Sequence, residues 1–165
     1  MHQRGSYFVF NKPADYRRGW GENIRCLGSS IQAEDPARPG IFWSRLLDSR
    51  EKETVWHRLT MACTGPGEAS VRFSFYCAEA RRVFFRGRER DLDELLRDPA
   101  LTDGDRLELS RPWLAMTART PRDVLLHQLT GRYLWFRAEL LPQGGQSPRI
   151  GDLRLRFPRR TWLEY

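Results

Sequence analysis

The stretch Gly131-Arg132-Tyr133-Leu134-Trp135-Phe136-Arg137-Ala138-Glu139-Leu140 decides the fold of this chain. Its side chains fall into two alternating sets: Leu134, Phe136, Ala138 and Leu140 on one side, and Tyr133, Trp135, Arg137 and Glu139 on the other. A period of two is typical of a half-buried β-strand. A segment rich in glycine and proline, 142–148, follows it, and a second alternating run, 152–157, comes next. We therefore predict two strands joined by a glycine-bearing loop.

Similar patterns occur on the N-terminal side of this stretch. Run 55–63 alternates in part, run 71–77 alternates strongly, and the glycine- and proline-bearing segment 64–68 separates them. This arrangement predicts an antiparallel hairpin. Shorter aromatic or β-branched runs at 6–10, 24–27 and 41–47 are further strand candidates.

The middle of the chain has a different pattern. Leu92, Leu95 and Leu96 have helical spacing, acidic residues precede them and Pro99 follows. These signals predict one short helix inside an insertion at about 81–100. Residues 103–105 are interpreted as a turn, and 107–109 as a brief strand.

Many short strands with frequent glycine and proline breaks predict a mainly β protein. The expected architecture is an antiparallel β-sandwich, jelly-roll-like, with one short helix in the middle insertion. At 165 residues, of which 40% are hydrophobic, the chain suits a single domain spanning 1–165 with a real core.

The sequence also indicates the cellular compartment of the protein. No apolar run approaches the roughly 18 residues that a membrane-spanning helix needs, and the first residues carry no apolar leader. The three cysteines fit neither a disulfide framework nor a zinc pattern. We therefore expect a cytoplasmic protein, with Cys63 and Cys77 as free thiols buried in strands.

The net charge is +7, and 26 of the 28 basic residues are arginine. Such a charge suits nucleic acid or an acidic partner, whereas arginine over lysine favours protein interfaces. Codon bias is a third explanation that the sequence leaves open. The arginines are spread along the chain, which weakens the nucleic-acid interpretation.

No pattern of catalytic residues emerges. His57 has no serine or cysteine nucleophile signature near it, and it shares no metal-ligand spacing with His2 or His127. Asp91, Asp93 and the neighbouring glutamate are explained by the negative start of a helix. We predict no catalytic residue, no metal site and no cofactor.

The aromatic residues suggest a docking surface. Trp135 is one of six tryptophans and lies beside Tyr133 and Arg137 on the outer side of its strand. This combination suits a protein interface or a sugar-stacking platform, although a second sheet or a loop of the same domain could equally cover the ring. The candidate interface residues are Tyr133, Trp135, Arg137, Arg154, Arg156, Arg159, Arg160 and Trp162.

An ordered set of short motifs between residues 47 and 165 resembles a known family. The motifs are Leu47-Asp48-Ser49, Thr54-Val55-Trp56-His57-Arg58-Leu59, Ser70-Val71-Arg72-Phe73-Ser74-Phe75, Gly131-Arg132-Tyr133-Leu134-Trp135-Phe136-Arg137, Ser147-Pro148-Arg149-Ile150, Leu153-Arg154-Leu155-Arg156-Phe157-Pro158-Arg159 and Trp162-Leu163-Glu164-Tyr165. The set is similar to the phage tail protein domain of contractile injection systems, which are particles built like headless phage tails. In that family the closing motif runs into a baseplate wedge-type domain.

The resemblance implies a structural role without catalytic residues. It implies the N-terminal part of a longer protein, a baseplate domain that docks neighbouring subunits, present in several copies. The implied partners are other baseplate, sheath or tube proteins of a particle that assembles in the cytoplasm. The alternative is a carbohydrate-binding β-sandwich module, since small β-sandwiches often have that function. Nucleic-acid binding ranks third.

Overall fold

The protein is mainly β, as the alternating runs predict. The computed structural model describes residues 24–25, 30–31, 33, 35–65, 70–118 and 123–157. Strands make up 50% of the structure and helices 12%. The elements in these residues are β1 (Ile24–Arg25), β2 (Ser30–Ile31), β3 (Gly40–Trp43), β4 (Leu47–Asp48), β5 (Arg58–Thr64), β6 (Ser70–Ala78), β7 (Arg82–Phe85), β8 (Arg88–Asp91), α1 (Leu92–Arg97), α2 (Asp103–Leu109), β9 (Leu114–Ala118), β10 (Asp123–Leu125), β11 (Tyr133–Leu141) and β12 (Arg149–Arg156). The strand candidate 6–10 lies outside the described residues.

Two antiparallel sheets form the sandwich. Sheet I has the order β1-β12-β5-β10, with β2 also on β12, and sheet II has the order β3-β11-β6-β9, with β4 also on β11. When β2, β4 and the β7–β8 ribbon are set aside, eight strands remain. Among them the first pairs with the eighth, the second with the seventh, the third with the sixth and the fourth with the fifth. This nested pairing is that of a jelly roll, so the predicted fold class is confirmed.

The predicted hairpin between β5 and β6 is wrong. β5 lies in sheet I and pairs with β12 and β10, whereas β6 lies in sheet II and pairs with β11 and β9. The intervening turn therefore carries the chain from one sheet to the other. The loop between β11 and β12 does the same, so both predicted strands form, in different sheets.

The core lies between the sheets and is built by the inward set of each strand. On β11 this set is the predicted one, Leu134, Phe136, Ala138 and Leu140, and all four are buried. The Phe136 ring contacts those of Phe42, Phe73 and Phe75, at centroid distances of 5.8, 6.0 and 6.2 Å. Sheet I contributes Leu59, Met61, Ile150, Leu153 and Leu155.

Trp56 closes one end of this core. Its side chain is fully buried, its indole Nε1 donates a hydrogen bond to the carbonyl oxygen of Gly131 at 2.9 Å, and its ring meets Phe157 at 4.8 Å. Gly131 has φ +153°, and a Cβ there would lie 2.9 Å from the carbonyl carbon of Ala78. The close approach of the chain to β6 therefore requires glycine at 131.

The insertion between β6 and β9 extends over residues 79–113, beyond the predicted 81–100. It contains the β7–β8 ribbon, the predicted helix α1 and a second helix, α2. Residues 103–105 therefore start a helix and are not the expected turn, and 107–109 are not a strand. A capping box explains the difference, because Thr102 Oγ1 accepts from the Asp105 N–H and the Asp105 side chain accepts from the Thr102 N–H.

Candidate docking surfaces

The outer face of β11 is covered by the insertion. Trp135 is 0% exposed and packs with Leu92, Leu96 and Trp113 of the insertion in a second apolar cluster, separate from the core between the sheets. The expectation that Trp135 is an exposed interface aromatic is therefore wrong. The physical reason is that the apolar side of α1 and the aromatic outer face of sheet II bury each other.

The rings in this second cluster interlock at close range. The Tyr76 ring stacks on that of Trp113 at a centroid distance of 6.0 Å and lies 5.8 Å from the Trp135 centroid. Trp43 meets Trp113 edge-on, with their ring centroids 5.8 Å apart. Tyr133 lies 6.2 Å from Trp135 at the margin and is half-buried. Among the described residues, Trp135 Nε1 has no hydrogen-bond acceptor. This tryptophan therefore acts through its packing alone.

Polar contacts fasten the insertion to sheet II. The Arg137 guanidinium donates to Ser110 Oγ at 2.6 Å and to Ser74 Oγ at 3.2 Å, and lies 3.0 Å from Glu139 Oε1. Because it is largely buried in these contacts, Arg137 is a structural side chain here. At the other end of the insertion, Asp93 Oδ1 accepts from the Leu46 N–H at 2.7 Å.

Within the insertion the charges largely cancel. Residues 79–113 hold eight arginines and nine carboxylates, so this segment does not carry the excess positive charge of the chain. Arg106 is buried and donates to the carbonyl oxygens of Leu96 and Asp98, both at 2.8 Å, which ties α2 to the end of α1. Several arginines are therefore explained by folding.

An open groove of about 730 Å³ lies beside Tyr133. Its lining residues are Glu79, Ala80, Arg81, Arg82, Glu89, Arg90, Asp91, Glu94 and Tyr133. Arg81 pairs with Asp91 at 3.0 Å and Arg82 with Glu89 at 3.5 Å. Arg90 pairs with Asp98 at 2.9 Å, so the three arginines that line this groove are all engaged in ion pairs.

The outer face of sheet I carries the other predicted arginines. Arg154 and Arg156 alternate with the inward Leu153 and Leu155 on β12, which directs them away from the core. The pairing of β12 with β5 adds a third arginine, because Arg156 is paired with Arg58. These three residues, Arg58, Arg154 and Arg156, define what we call the arginine face.

One carboxylate and one apolar side chain border the arginine face. Asp123 lies 3.3 Å from Arg58, and both side chains are more than one-third exposed. Leu125 on the edge strand β10 is 50% exposed. The arginine face thus has an ion-paired carboxylate and an exposed apolar side chain at its border.

The structure does not bring the predicted interface residues together. Tyr133, Trp135 and Arg137 lie on the outer side of sheet II, whereas Arg154 and Arg156 lie on the opposite outer side of the sandwich. The remaining three, Arg159, Arg160 and Trp162, lie outside the described residues. One continuous surface of the first five residues is therefore not formed.

Sequence reasoning missed the projecting ribbon β7–β8. The pair Arg86-Gly87 links its strands with φ values of +51° and +78°, the geometry of a two-residue hairpin turn. The available signal was an apolar-basic run, Val83-Phe84-Phe85, broken by a glycine. Our sequence analysis predicts a helix-bearing insertion over this run and no hairpin.

Cys63 and Cys77 lie in strands, as expected, but they are half-buried where full burial is predicted. Neither forms a disulfide with a described residue, and both pack against the core between the sheets. Burial raises the pKa of Cys77 to about 12, which keeps the thiol protonated and unreactive at neutral pH. Across the described part of the chain, no three histidine, cysteine or acidic side chains are grouped as metal ligands. None of the helices resolved there has the length and apolar character for crossing a bilayer.

Comparison with known proteins gave no match to a family model, a curated protein or a solved structure.

Proposed function

We propose that this chain is a non-catalytic structural component of a phage-tail-like contractile injection system, a baseplate domain that docks neighbouring subunits. Its partners in this proposal are baseplate, sheath or tube proteins. Assembly takes place in the cytoplasm, and several copies enter each particle. The proposal combines the motif resemblance with one structural observation, the arginine face of sheet I.

The arginine face supports a docking role because three guanidinium groups are brought together on one outer surface. Arg156 is paired with Arg58 across β12 and β5, and Arg154 lies two residues before Arg156 on the same side of β12. Guanidinium groups pair with carboxylates in a fixed planar geometry, which makes arginine well suited to protein interfaces. An acidic surface on a neighbouring subunit would complement this face.

The jelly-roll fold is compatible with this role and does not decide it. Jelly rolls occur in viral structural proteins and in lectins, and fold alone does not establish function. The carbohydrate-binding alternative depended on Trp135 as a stacking platform. Because the insertion covers that ring completely, the alternative loses its supporting residue.

The experiment measures particle association in cells that produce the chain. Lysate is sedimented to collect particles, and the chain is quantified by mass spectrometry in the wild type and in Arg154→Glu/Arg156→Glu. We expect the wild type to co-sediment with sheath and tube proteins. The amount of the double variant in the sedimented particles should be at least tenfold lower. Lys52→Glu/Arg111→Glu makes the same change in net charge at exposed positions away from the face and should sediment like the wild type.

Folding must be checked separately, since both arginines are half-buried. The milder variant Arg154→Gln/Arg156→Gln and a melting curve for each protein serve that purpose. Absence of the wild-type chain from sedimented particles would refute the proposal. Retention on DNA that falls steeply with salt, without particle association, would instead favour nucleic-acid binding through the same face.

A further inference from the structure

Two histidines that are distant in the sequence meet on the surface of the sandwich. His57 and His127 are separated by 70 positions, yet their ring centroids lie 4.9 Å apart, with the ring planes at 73°. Both side chains are exposed. Within the part of the chain that the structure describes, neither ring has a hydrogen bond or an ion pair. The ring nitrogens are therefore open to a ligand from solution.

The backbone at both histidines is held in place by the fold. The His57 N–H donates to the carbonyl oxygen of Arg156 at 3.0 Å, and the His57 carbonyl oxygen accepts from the Leu126 N–H at 2.9 Å. Trp56 and Leu126, each the residue before a histidine, are fully buried in the core between the sheets. The distance between the two backbone positions is thus fixed before any ligand binds, which favours binding.

The separation of the rings suits two ligands of one metal ion. A transition metal lies about 2.0–2.1 Å from a ligating imidazole nitrogen, and hence about 3.2 Å from the ring centroid. Two imidazoles at a coordination angle of about 90–110° then have their centroids about 4.5–5.2 Å apart. The observed 4.9 Å lies within this range. Because both rings are exposed, each can rotate to direct one nitrogen at a common point.

The neighbouring side chains select for the type of metal. Val55 and Leu125, each two residues before a histidine, are apolar and exposed at 43% and 50%, so they supply no ligand. Asp123 pairs with Arg58 at 3.3 Å, which engages its carboxylate. Mg²⁺ and Ca²⁺ bind through oxygen ligands, whereas imidazole suits zinc, nickel and copper. The arrangement therefore favours a metal that binds through nitrogen.

We propose that His57 and His127 form a surface site for a divalent transition metal ion of the zinc, nickel and copper group. Two protein ligands leave the remaining coordination positions to water or to a donor group of another molecule. The proposal departs from the sequence-based expectation of no metal site, because tertiary structure and not local spacing creates the pair. It is independent of the arginine face and of membership in a contractile particle.

Isothermal titration calorimetry of the untagged chain with Zn²⁺ at pH 7.5 tests the site. We expect one ion per chain, with a Kd below about 0.1 mM. His57→Ala and His127→Ala should each weaken binding at least tenfold, because the second imidazole no longer acts within the same site. The double variant should bind about as weakly as either single variant, since the loss of one ligand already removes chelation.

Two controls accompany the titration. His2→Ala removes the third histidine of the chain and should change the affinity for Zn²⁺ less than twofold. Mg²⁺ should give no binding heat with the wild type. Without metal, the alanine variants should melt within about 2 °C of the wild type, because both side chains are exposed. If either melts lower, His57→Gln and His127→Gln repeat the measurement with a polar side chain of similar size.

Four outcomes overturn the proposal. The first is a wild type that does not bind Zn²⁺. The second is affinity that survives the double variant, which would assign the ion to the thiols or to another site. The third is affinity that His2→Ala abolishes. The fourth is single variants that lower the stoichiometry at unchanged affinity, which would show two separate imidazoles and no shared ion.

Discussion

Replacing Trp135 tests whether its ring belongs to a second core or to a surface. Because Trp135 is fully buried among insertion and sheet residues, truncation to alanine should cost about 3–5 kcal/mol of unfolding free energy. Domains of this kind have about 5–15 kcal/mol in total, so the loss is measurable. Urea unfolding followed by far-ultraviolet circular dichroism gives the value without relying on tryptophan fluorescence.

Trp56 provides a matched control, since both tryptophans are fully buried and, among the described residues, only the Trp56 indole has a hydrogen-bond acceptor. Trp56→Phe removes the hydrogen bond to Gly131 O and leaves a buried carbonyl without that donor, whereas Trp135→Phe breaks no indole hydrogen bond to a described residue. Trp56→Phe should therefore be the more destabilising of the two by about 1–3 kcal/mol. Limited proteolysis of Trp135→Ala should cut first within 79–113, where the insertion loses its support.

A loss below about 1 kcal/mol for Trp135→Ala would contradict this reasoning. It would mean that the insertion does not pack on β11 in solution and that the ring is available for docking. Equal losses of unfolding free energy for Trp135→Phe and Trp56→Phe would show that the hydrogen bond from Trp56 to Gly131 does not contribute to stability.

Three further predictions concern single side chains. Asp93→Ala should cost about 2 kcal/mol in urea unfolding because the Leu46 N–H loses its acceptor, whereas Asp93→Asn retains an oxygen and should cost under about 1 kcal/mol. Native Cys77 should not react with N-ethylmaleimide at pH 7.5, as measured by mass spectrometry. Because burial raises the pKa of this thiol, its contribution to stability is complete below about pH 9 and is lost as the pH rises towards 12. Burial opposes ionisation of Asp48, but bonds from the Arg132 side chain and the Arg50 N–H outweigh it and leave its pKa lowered. Its stabilisation is therefore complete above about pH 4 and lost on further acidification, and Asp48→Asn should flatten that acid limb in pH-dependent melting.

The strands of the sandwich could be predicted from the sequence, because side-chain alternation follows directly from strand geometry. Residues 133–140 and 153–156 show this, as both their strand state and their inward faces are as predicted. Strand pairing could not be predicted in the same way. Two strands that face one core alternate identically whether they are neighbours in one sheet or lie in opposite sheets, so alternation on both sides of 64–68 predicts a hairpin and a connection between sheets equally well.

The docking surfaces were predicted in part. The outward direction of Arg154 and Arg156 followed from alternation, but the burial of Trp135 depended on how the insertion folds back. A signal existed, since an amphipathic helix with Leu92, Leu95 and Leu96 must bury that side against something, and the aromatic outer face of β11 was the unmatched apolar surface. The helix α2 had its own signal in Thr102 and Asp105, the spacing of a capping box with aspartate as the acidic member.

The nested strand order has a consequence for the order of events during synthesis. β5 pairs with β12 across roughly 90 residues of chain, and β6 pairs with β11 across roughly 60. At translation rates of about 5–20 residues per second, β5 leaves the ribosome about 5–18 seconds before its principal partner exists. For most of that interval Leu59 and Met61 lack the complete sheet II, which forms only when β11 has emerged. The nascent chain is thus exposed to aggregation until its last described strand emerges, and ribosome-associated chaperones should hold it during that time.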